Sequence, residues 1–330
     1  MRTKFSIWLI LLVAIMNQST NHADEPVPES AGFVANLKLP TLGGVQFWTD
    51  LRWWYGWRIQ QNKLTDQCRL LNPSNIRHFS GSREACDARL AEIVSDGPWP
   101  EPPQRVVICL HGLMRTHRSF ASLGKRIEKE TPATVIHFGY ASTRAPVSQH
   151  ARALRGLIES LPGQPQIDLV GHSMGNIVAR HAIGDWQTEG DPAGVLDRLG
   201  RFVMQGPPNQ GAQIAKRLQS TTVFEIITGT SGVQLGINWD ELQQHLATPP
   251  CEFGIIAGAF EMGRFRNPLV DGDSDLIVSV EEAKLSGAND FVIVPVLHSF
   301  LMDDKDVQEL TLRFLETGAF ADDGQRNPLP

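Results

Sequence analysis

The sequence lacks the patterns that mark several large classes of protein. Its 330 residues include only four cysteines, and no Cys-x-x-Cys pair or Cys/His cluster suggests a metal site. No long run of like charges occurs, and a net charge of −6 provides no basic surface for nucleic acid. We therefore expect neither a metal site of this kind nor a nucleic-acid partner.

The N-terminus also lacks an apolar run long enough to cross a membrane. The run from Phe5 to Met16 covers about 12 residues, whereas a transmembrane helix requires ~20. Basic residues precede this run, and a short polar stretch that ends at Ala23 follows it, which is typical of a secretory signal peptide. We predict a signal peptide over residues 1–23 and export to the periplasm or the medium.

Export would place the cysteines in an oxidising compartment, where disulfides are stable. Cys68 and Cys86 could close a short loop, whereas Cys109 lies in the apolar run VVICL and is expected to be a buried, small hydrophobic residue. With Cys251 as the fourth, about three complete pairings are possible, so the connectivity stays open.

A proline-rich segment, SDGPWPEPPQ, separates two parts of the chain at residues 95–104. Residues 24–104, which we call the N-terminal extension, show no regular alternation of strand and helix patterns. Within it, the stretch QFWTDLRWWYGWRIQ holds four of the eight tryptophans. This stretch either faces a lipid or substrate, or packs its aromatic side chains onto the core, and we favour packing.

From residue 105 onward, strand patterns alternate with amphipathic helix patterns. The strand patterns are RVVICL, ATVIHFGY, QIDLVGH, RFVMQG, EFGIIAGAF and FVIVPVL. This alternation predicts an α/β domain over residues 105–330, with a mostly parallel central sheet and helices on both faces. The long separation between RFVMQG and EFGIIAGAF predicts a helical, cap-like insertion at about residues 207–251.

The segment IDLVGHSMGNIVARHA contains the pattern Gly-x-Ser-x-Gly at residues 171–175. A strand pattern precedes Ser173 and a helix pattern follows it, as in a nucleophile elbow. In such an elbow the serine lies on a strained turn, and the flanking glycines allow neighbouring backbone to approach closely. We therefore predict that Ser173 is a nucleophile.

A serine nucleophile requires a base, and the base requires an acid that orients it. In this architecture the order along the chain is serine, acid, histidine. Three histidines follow Ser173: His181 lies on the helix after the elbow, His245 lies in the insertion, and His298 follows FVIVPVL. Only His298 is expected at the carboxyl edge of the sheet, so we predict it as the base.

The acid is expected in the loop after EFGIIAGAF, which contains VDGDSDLIVSVEEA. Asp275 directly precedes an apolar run and is our first choice, and Asp273 is the second. Asp271, Glu281 and Glu282 are alternatives. The D-x-D-x-D string resembles a calcium loop, but it lacks the downstream glycine and the glutamate at EF-hand spacing, so metal binding is a minor alternative.

Two backbone amides are needed to stabilise negative charge on the substrate oxygen. One belongs to the residue after the nucleophile and the other to a loop after an early strand. The early strand pattern RVVICL leads into His111, Gly112 and Leu113, so we predict the amides of Leu113 and Met174 as the donors. His111 is expected to brace this loop through hydrogen bonds.

Taken together, these pieces resemble the α/β-hydrolase superfamily, and within it the bacterial lipase- and esterase-like serine hydrolases. The matching stretches, in family order across residues 105–318, are CLHGLMRT, DLVGHSMGN, QGPPNQGAQIA, FGIIAGAF, SDLIVSV and PVLHSFLM. The resemblance implies the α/β-hydrolase fold and a triad of Ser173, Asp275 and His298. Leu276 stands where many members of the superfamily have glycine, and residues 24–104 match no piece of it.

The reaction that the resemblance implies is hydrolysis of a small-molecule or lipid ester through an acyl-enzyme. Nucleophile, base and oxyanion donors suffice for this chemistry, so no cofactor is expected. Acyl transfer to another acceptor and cleavage of a thioester or amide are alternatives on the same fold, and a non-catalytic binding protein is an alternative from another class. Peripheral contact with a membrane or lipid interface is compatible with the aromatic stretch. Acyl-chain length and oligomeric state stay open.

Overall fold

The computed structural model describes residues 39–40, 45–213, 234–235, 238–259 and 270–330. The predicted signal peptide, residues 1–23, lies outside the described residues. Residues 214–233 and 236–237 of the predicted cap-like insertion do so as well.

The N-terminal extension forms an antiparallel sheet that the sequence patterns do not predict. Its order is β1-β5-β4-β3-β2, and its strands are β1 (Leu39–Pro40), β2 (Trp48–Trp54), β3 (Trp57–Asn62), β4 (Cys68–Leu71) and β5 (Ile76–Gly81). Helix α1 (Arg83–Asp96) follows, and the Ser82 side chain caps it by accepting a hydrogen bond from the amide of Ala85. The described part of the extension therefore has secondary structure of its own.

This sheet packs against the rest of the protein. Leu51, Trp53 and Leu70 are buried in the same apolar core as the helices of the α/β domain. Trp54 and Trp57 are half-buried against that core, as the favoured interpretation of the aromatic stretch predicts.

In the described part of the α/β domain, six parallel strands form the central sheet, and the prediction of a mostly parallel sheet is confirmed. The strands are β6 (Arg105–Leu110), β7 (Thr134–Phe138), β8 (Gln166–His172), β9 (Leu199–Gln205), β10 (Glu252–Gly258) and β11 (Asp290–Val294). Their order is β11-β10-β9-β8-β6-β7, and all five pairings are parallel. Parallel pairing brings the carboxyl ends of all six strands to one edge of the sheet, where ligand sites of open α/β sheets occur.

Helices cover both faces of this sheet. They are α2 (Ala121–Glu130), α3 (Val147–Glu159), α4 (Met174–Glu189), α5 (Val195–Arg198), α6 (Trp239–Leu242), α7 (Val280–Ala283) and α8 (Lys305–Thr317). Side chains of β6 alternate between two cores: Ile108 packs with α3 and α4, whereas Val107 and Cys109 pack with α2 and α8. Gly318, with φ of 75°, ends α8 in the left-handed conformation that glycine favours.

All four cysteines are free thiols in the structure. Cys68, Cys86 and Cys109 are buried, and Cys251 is half-buried. Among the residues that the structure describes, no helix combines the length and apolarity needed to cross a membrane.

Candidate active site

Ser173 lies on the sharp turn between β8 and α4. Its backbone has φ of 52° and ψ of −124°, a conformation that is costly for any residue except glycine. The amide of Ser173 donates a hydrogen bond to the carbonyl of Gln205 at the end of β9, over 2.9 Å. This bond holds the strained turn against the neighbouring strand and leaves the serine at the carboxyl edge of the sheet.

The two glycines of the motif make this turn possible because they let neighbouring atoms approach their α-carbons closely. A methyl group on Gly175 would lie 2.2 Å from the carbonyl oxygen of Leu110, and one on Gly171 would lie 2.1 Å from Oδ1 of Asn176. Both distances are far inside van der Waals contact, so a larger residue would push the elbow away from β6. The spacing Gly-x-Ser-x-Gly is therefore set by packing on both sides of the serine.

His298 and Asp275 form a buried pair at the same edge of the sheet. Nδ1 of His298 lies 2.7 Å from Oδ2 of Asp275, with the two side chains only 4% and 1% exposed. The amide of His298 also donates to the carbonyl of Asp275, over 3.1 Å. Because a carboxylate accepts, Nδ1 carries the proton and Nε2 of a neutral ring is left to act as a base.

The other oxygen of Asp275 organises its own loop. Oδ1 accepts hydrogen bonds from the amides of Ile277 and Val278, over 3.0 Å and 2.8 Å. Leu276, which lies between Asp275 and Ile277, has φ of 77°, a region that glycine adopts more readily than leucine.

The alternative acids and bases lie elsewhere. Asp271, Asp273 and Glu281 are exposed, and Glu282 closes a capping box with Ser279 at the start of α7. Two histidines are also set apart: the ring of His181 stacks on that of His245, with centroids 5.5 Å apart. The structure thus brings Asp275, and none of these acids, into contact with His298.

No hydrogen bond joins Ser173 to His298 in the described part of the chain, and His172 contacts His298. Among the described residues, Nε2 of His298 is buried and has no hydrogen-bond partner. The ring of His172, the residue before the serine, lies 4.7 Å from the ring of His298, and its Nε2 contacts the carbonyl of His298 at 2.9 Å. Hydrogen bonds between nucleophile and base are often long before substrate binds.

The predicted oxyanion loop lies against the serine. A methyl group on Gly112 would lie 3.1 Å from Cβ of Ser173. The carbonyl of Gly112 accepts from Nδ1 of His111 over 2.9 Å and from the amide of Arg115 over 3.2 Å. These bonds fix the peptide that carries the amide of Leu113, so the predicted donor is held in one orientation.

Burial keeps His111 neutral. Desolvation lowers the pKa of His111 to about 3, and its ring stacks on Tyr140 with centroids 4.1 Å apart. The hydroxyl of Tyr140 also donates to the carbonyl of His111. A neutral ring with its proton on Nδ1 is suited to bracing the loop, which is the role expected from the sequence.

Several residues of the site had no signal in the sequence. Tyr140 and Ser142 follow β7 and form hydrogen bonds with the predicted oxyanion loop. Nη2 of Arg115 donates to the carbonyl of Ser299 over 3.0 Å, and this bond connects the oxyanion loop to the loop that carries His298. Only His172, adjacent to the serine, could have been suspected from its position. In the described part of the chain, no group of three or more His, Cys, Asp or Glu side chains could hold a metal ion.

Several solved structures are similar to this chain at low sequence identity. The lipase BlEst2 of Bacillus licheniformis in its propeptide form matches with a TM-score of 0.53 and 15% identity, over 71% of this chain and 54% of that one. The mature form gives a TM-score of 0.46 at 16% identity, covering 63% of this chain and 89% of the other. A metagenomic carboxyl esterase, MGS0156, gives 0.46 at 13% identity, over 62% and 68% of the two chains.

The parallel six-stranded sheet and the likeness to the propeptide form of BlEst2 give the chain the α/β-hydrolase fold. This chain spans about half the length of that form. Residues 72–247 match the model of a family described as a domain of unknown function, DUF7379, and the chain belongs to this family. No curated protein matches the sequence.

Proposed function

We propose that the protein is a serine hydrolase that cleaves carboxylic esters. The observation that carries this proposal is the buried contact of 2.7 Å between Nδ1 of His298 and Oδ2 of Asp275, at the same sheet edge as the strained turn of Ser173. A buried carboxylate on Nδ1 orients the histidine and stabilises its charged form when Nε2 takes up a proton during a reaction.

In the proposed mechanism, Nε2 of His298 takes the proton of Ser173 Oγ as that oxygen attacks the ester carbonyl carbon. The amides of Leu113 and Met174 donate to the resulting oxyanion, and neither amide donates to another described residue. His298 then gives its proton to the departing alcohol. Water, deprotonated by His298, attacks the acyl-enzyme and releases the acid, and the proton returns to Ser173.

The substrate class that we propose is an ester of a small molecule or lipid, as for lipase-like and esterase-like members of the superfamily. Solved structures with this fold include proteins named lipase, carboxyl esterase and phospholipase, which is compatible with this class. Export through residues 1–23, to the periplasm or the medium, stays a prediction.

A fluorophosphonate probe tests the proposal, because it reacts covalently with activated serines. We expect the folded protein to be labelled, and Ser173→Ala to abolish labelling together with hydrolysis of p-nitrophenyl esters. Ser160→Ala is a matched control, since its hydroxyl only donates to the carbonyl of Leu157 at the end of α3. Folded protein that neither reacts with the probe nor hydrolyses esters of any chain length would contradict the proposed function.

A further inference from the structure

The turn next to the predicted oxyanion donor is strained. The amide of Arg115 donates to the carbonyl of Gly112 over 3.2 Å and closes a four-residue turn that contains Leu113 and Met114. Met114, the third residue, has φ of 59°, a region that glycine and asparagine favour in such turns. A methionine persists in this conformation only where surrounding contacts hold it.

Both backbone groups of Met114 are held by side chains. Its amide donates to Oγ of Ser142 over 3.1 Å, and Ser142 is fully buried. Its carbonyl accepts from Nε2 of Gln46, also over 3.1 Å. Gln46 is 68 positions away in the sequence and belongs to the N-terminal extension rather than to the α/β domain.

Gln46 is itself held in place by the docking of the extension. It lies in a 3-10 turn (Val45–Phe47) that leads directly into β2. In β2, the amide of Asp50 donates to the carbonyl of Gly139 over 2.8 Å, and its carboxylate accepts from the amide of Gly139 over 2.7 Å. The amide of Ala141 donates to Oγ1 of Thr49 over 3.1 Å. The segment that forms these hydrogen bonds with β2 is therefore the one that carries Ser142.

We infer that Gln46 is a positioning residue for ester hydrolysis, through which the N-terminal extension completes the oxyanion loop. The inference rests on the proposed function. The carbonyl of Gly112 and the amide of Leu113 share one peptide, and the bond from Arg115 to that carbonyl closes the turn that Met114 completes. Relaxation of Met114 to negative φ would weaken this bond and release the peptide, which would displace the amide of Leu113 from the substrate oxygen. Oxyanion donors act only when they are preorganised, and a small displacement is sufficient to weaken them.

Gln46→Met tests this inference, because methionine has nearly the same length and no N–H group. We expect kcat for a p-nitrophenyl ester to fall about 10-fold or more, with KM changed by less than about twofold, since the lost interaction acts in the transition state. Gln46→Lys, which restores a donor, should recover part of kcat. Gln61→Met is the matched control, because the side chain of Gln61, near the end of β3, forms hydrogen bonds only with Asp66 and Lys63 among the described residues.

The possible outcomes separate the inference from the proposed function. Wild-type protein without esterase activity or probe labelling overturns both. Active wild-type protein with an unimpaired Gln46→Met variant overturns the inference alone. A fall in kcat that merely follows a loss of folded protein in thermal unfolding, or that Gln61→Met shares, also overturns it.

Discussion

At the scale of single residues, the carboxylate of Asp275 has two separate tasks. Oδ2 lies 2.7 Å from Nδ1 of His298, whereas Oδ1 accepts from the amides of Ile277 and Val278. The second task fixes the orientation of the carboxylate, and the first fixes the tautomer of the histidine. Removing the charge while keeping the shape should therefore affect the histidine far more than the loop.

Asp275→Asn should lower kcat by on the order of 10³-fold to 10⁴-fold, because an amide can favour the wrong tautomer of His298. Esterase assays with initial rates at saturating substrate measure this loss. Asp273→Asn changes an exposed residue of the same loop and should keep nearly full activity. Equal activity losses in the two variants would show that the acid was assigned to the wrong residue.

At the scale of elements, the position of α4 relative to β6 depends on one glycine. Gly175 stands in the first turn of α4, where a methyl group would meet the backbone of Leu110 and His111 at 2.2 Å and 2.9 Å. Backbone atoms cannot rotate out of the way as a flexible side chain can. A change of one methyl group at this point must move the whole helix and the serine that precedes it.

Gly175→Ala should lower the free energy of unfolding by about 1–3 kcal/mol and displace Ser173, so that activity falls as well. Urea unfolding and the rate of fluorophosphonate labelling check the two effects. Gly156→Ala in α3 is the control, because its methyl group would approach no atom closer than 3.7 Å. Alanine there is expected to stabilise the helix by up to about 1 kcal/mol. If Gly175→Ala were as stable and active as the control, the packing argument for the motif would be wrong.

Elements with clear apolar patterns could be predicted from the sequence, and those with buried polar residues could not. The six strands of the parallel sheet carry apolar runs because they are covered on both faces. In the antiparallel sheet, Nε2 of Gln60 donates to Oδ1 of Asp50 over 2.7 Å, and Arg69 donates to Oε1 of Gln60 over 3.0 Å. These polar residues interrupt the alternation by which strands are recognised.

The residues of the candidate site also fall into two groups: those that a sequence pattern marks and those that only the packing brings together. Order along the chain predicts Asp275 and His298, and the structure brings these two side chains into contact. The contacts of Gln46, Tyr140 and Ser142 with the oxyanion loop join distant parts of the chain, and no local pattern marks them. Their roles depend on how two sheets dock, which is a property of packing.

At the scale of the whole molecule, burial or partial burial keeps five of the described histidines neutral. Desolvation is the largest cause in each case. It lowers the pKa of His111, His117 and His150 to about 3 and that of His137 to about 4, and it holds the pKa of His172 well below its usual range. In the unfolded chain these rings would titrate near pH ~6.5.

The folded protein should therefore lose stability as the pH falls from about 6.5 towards about 3, where the unfolded chain binds protons that the folded chain does not. Each such histidine contributes up to about 1.4 kcal/mol per pH unit within this window, and its contribution is fully present above it. Desolvation raises the pKa of the buried carboxyl group of Asp168, which opposes this trend.

Urea unfolding at pH 7.5 and pH 5.5 measures the difference in the free energy of unfolding. We expect wild-type protein to be less stable at pH 5.5, and His150→Leu, which removes one fully buried ring, to lose about 1 kcal/mol less between the two values. Leu154→Ala removes a buried apolar side chain from the same helix and no titratable group, so it should leave the difference unchanged. The same stability of wild-type protein at both values would show that these rings are hydrated or protonated in the folded state.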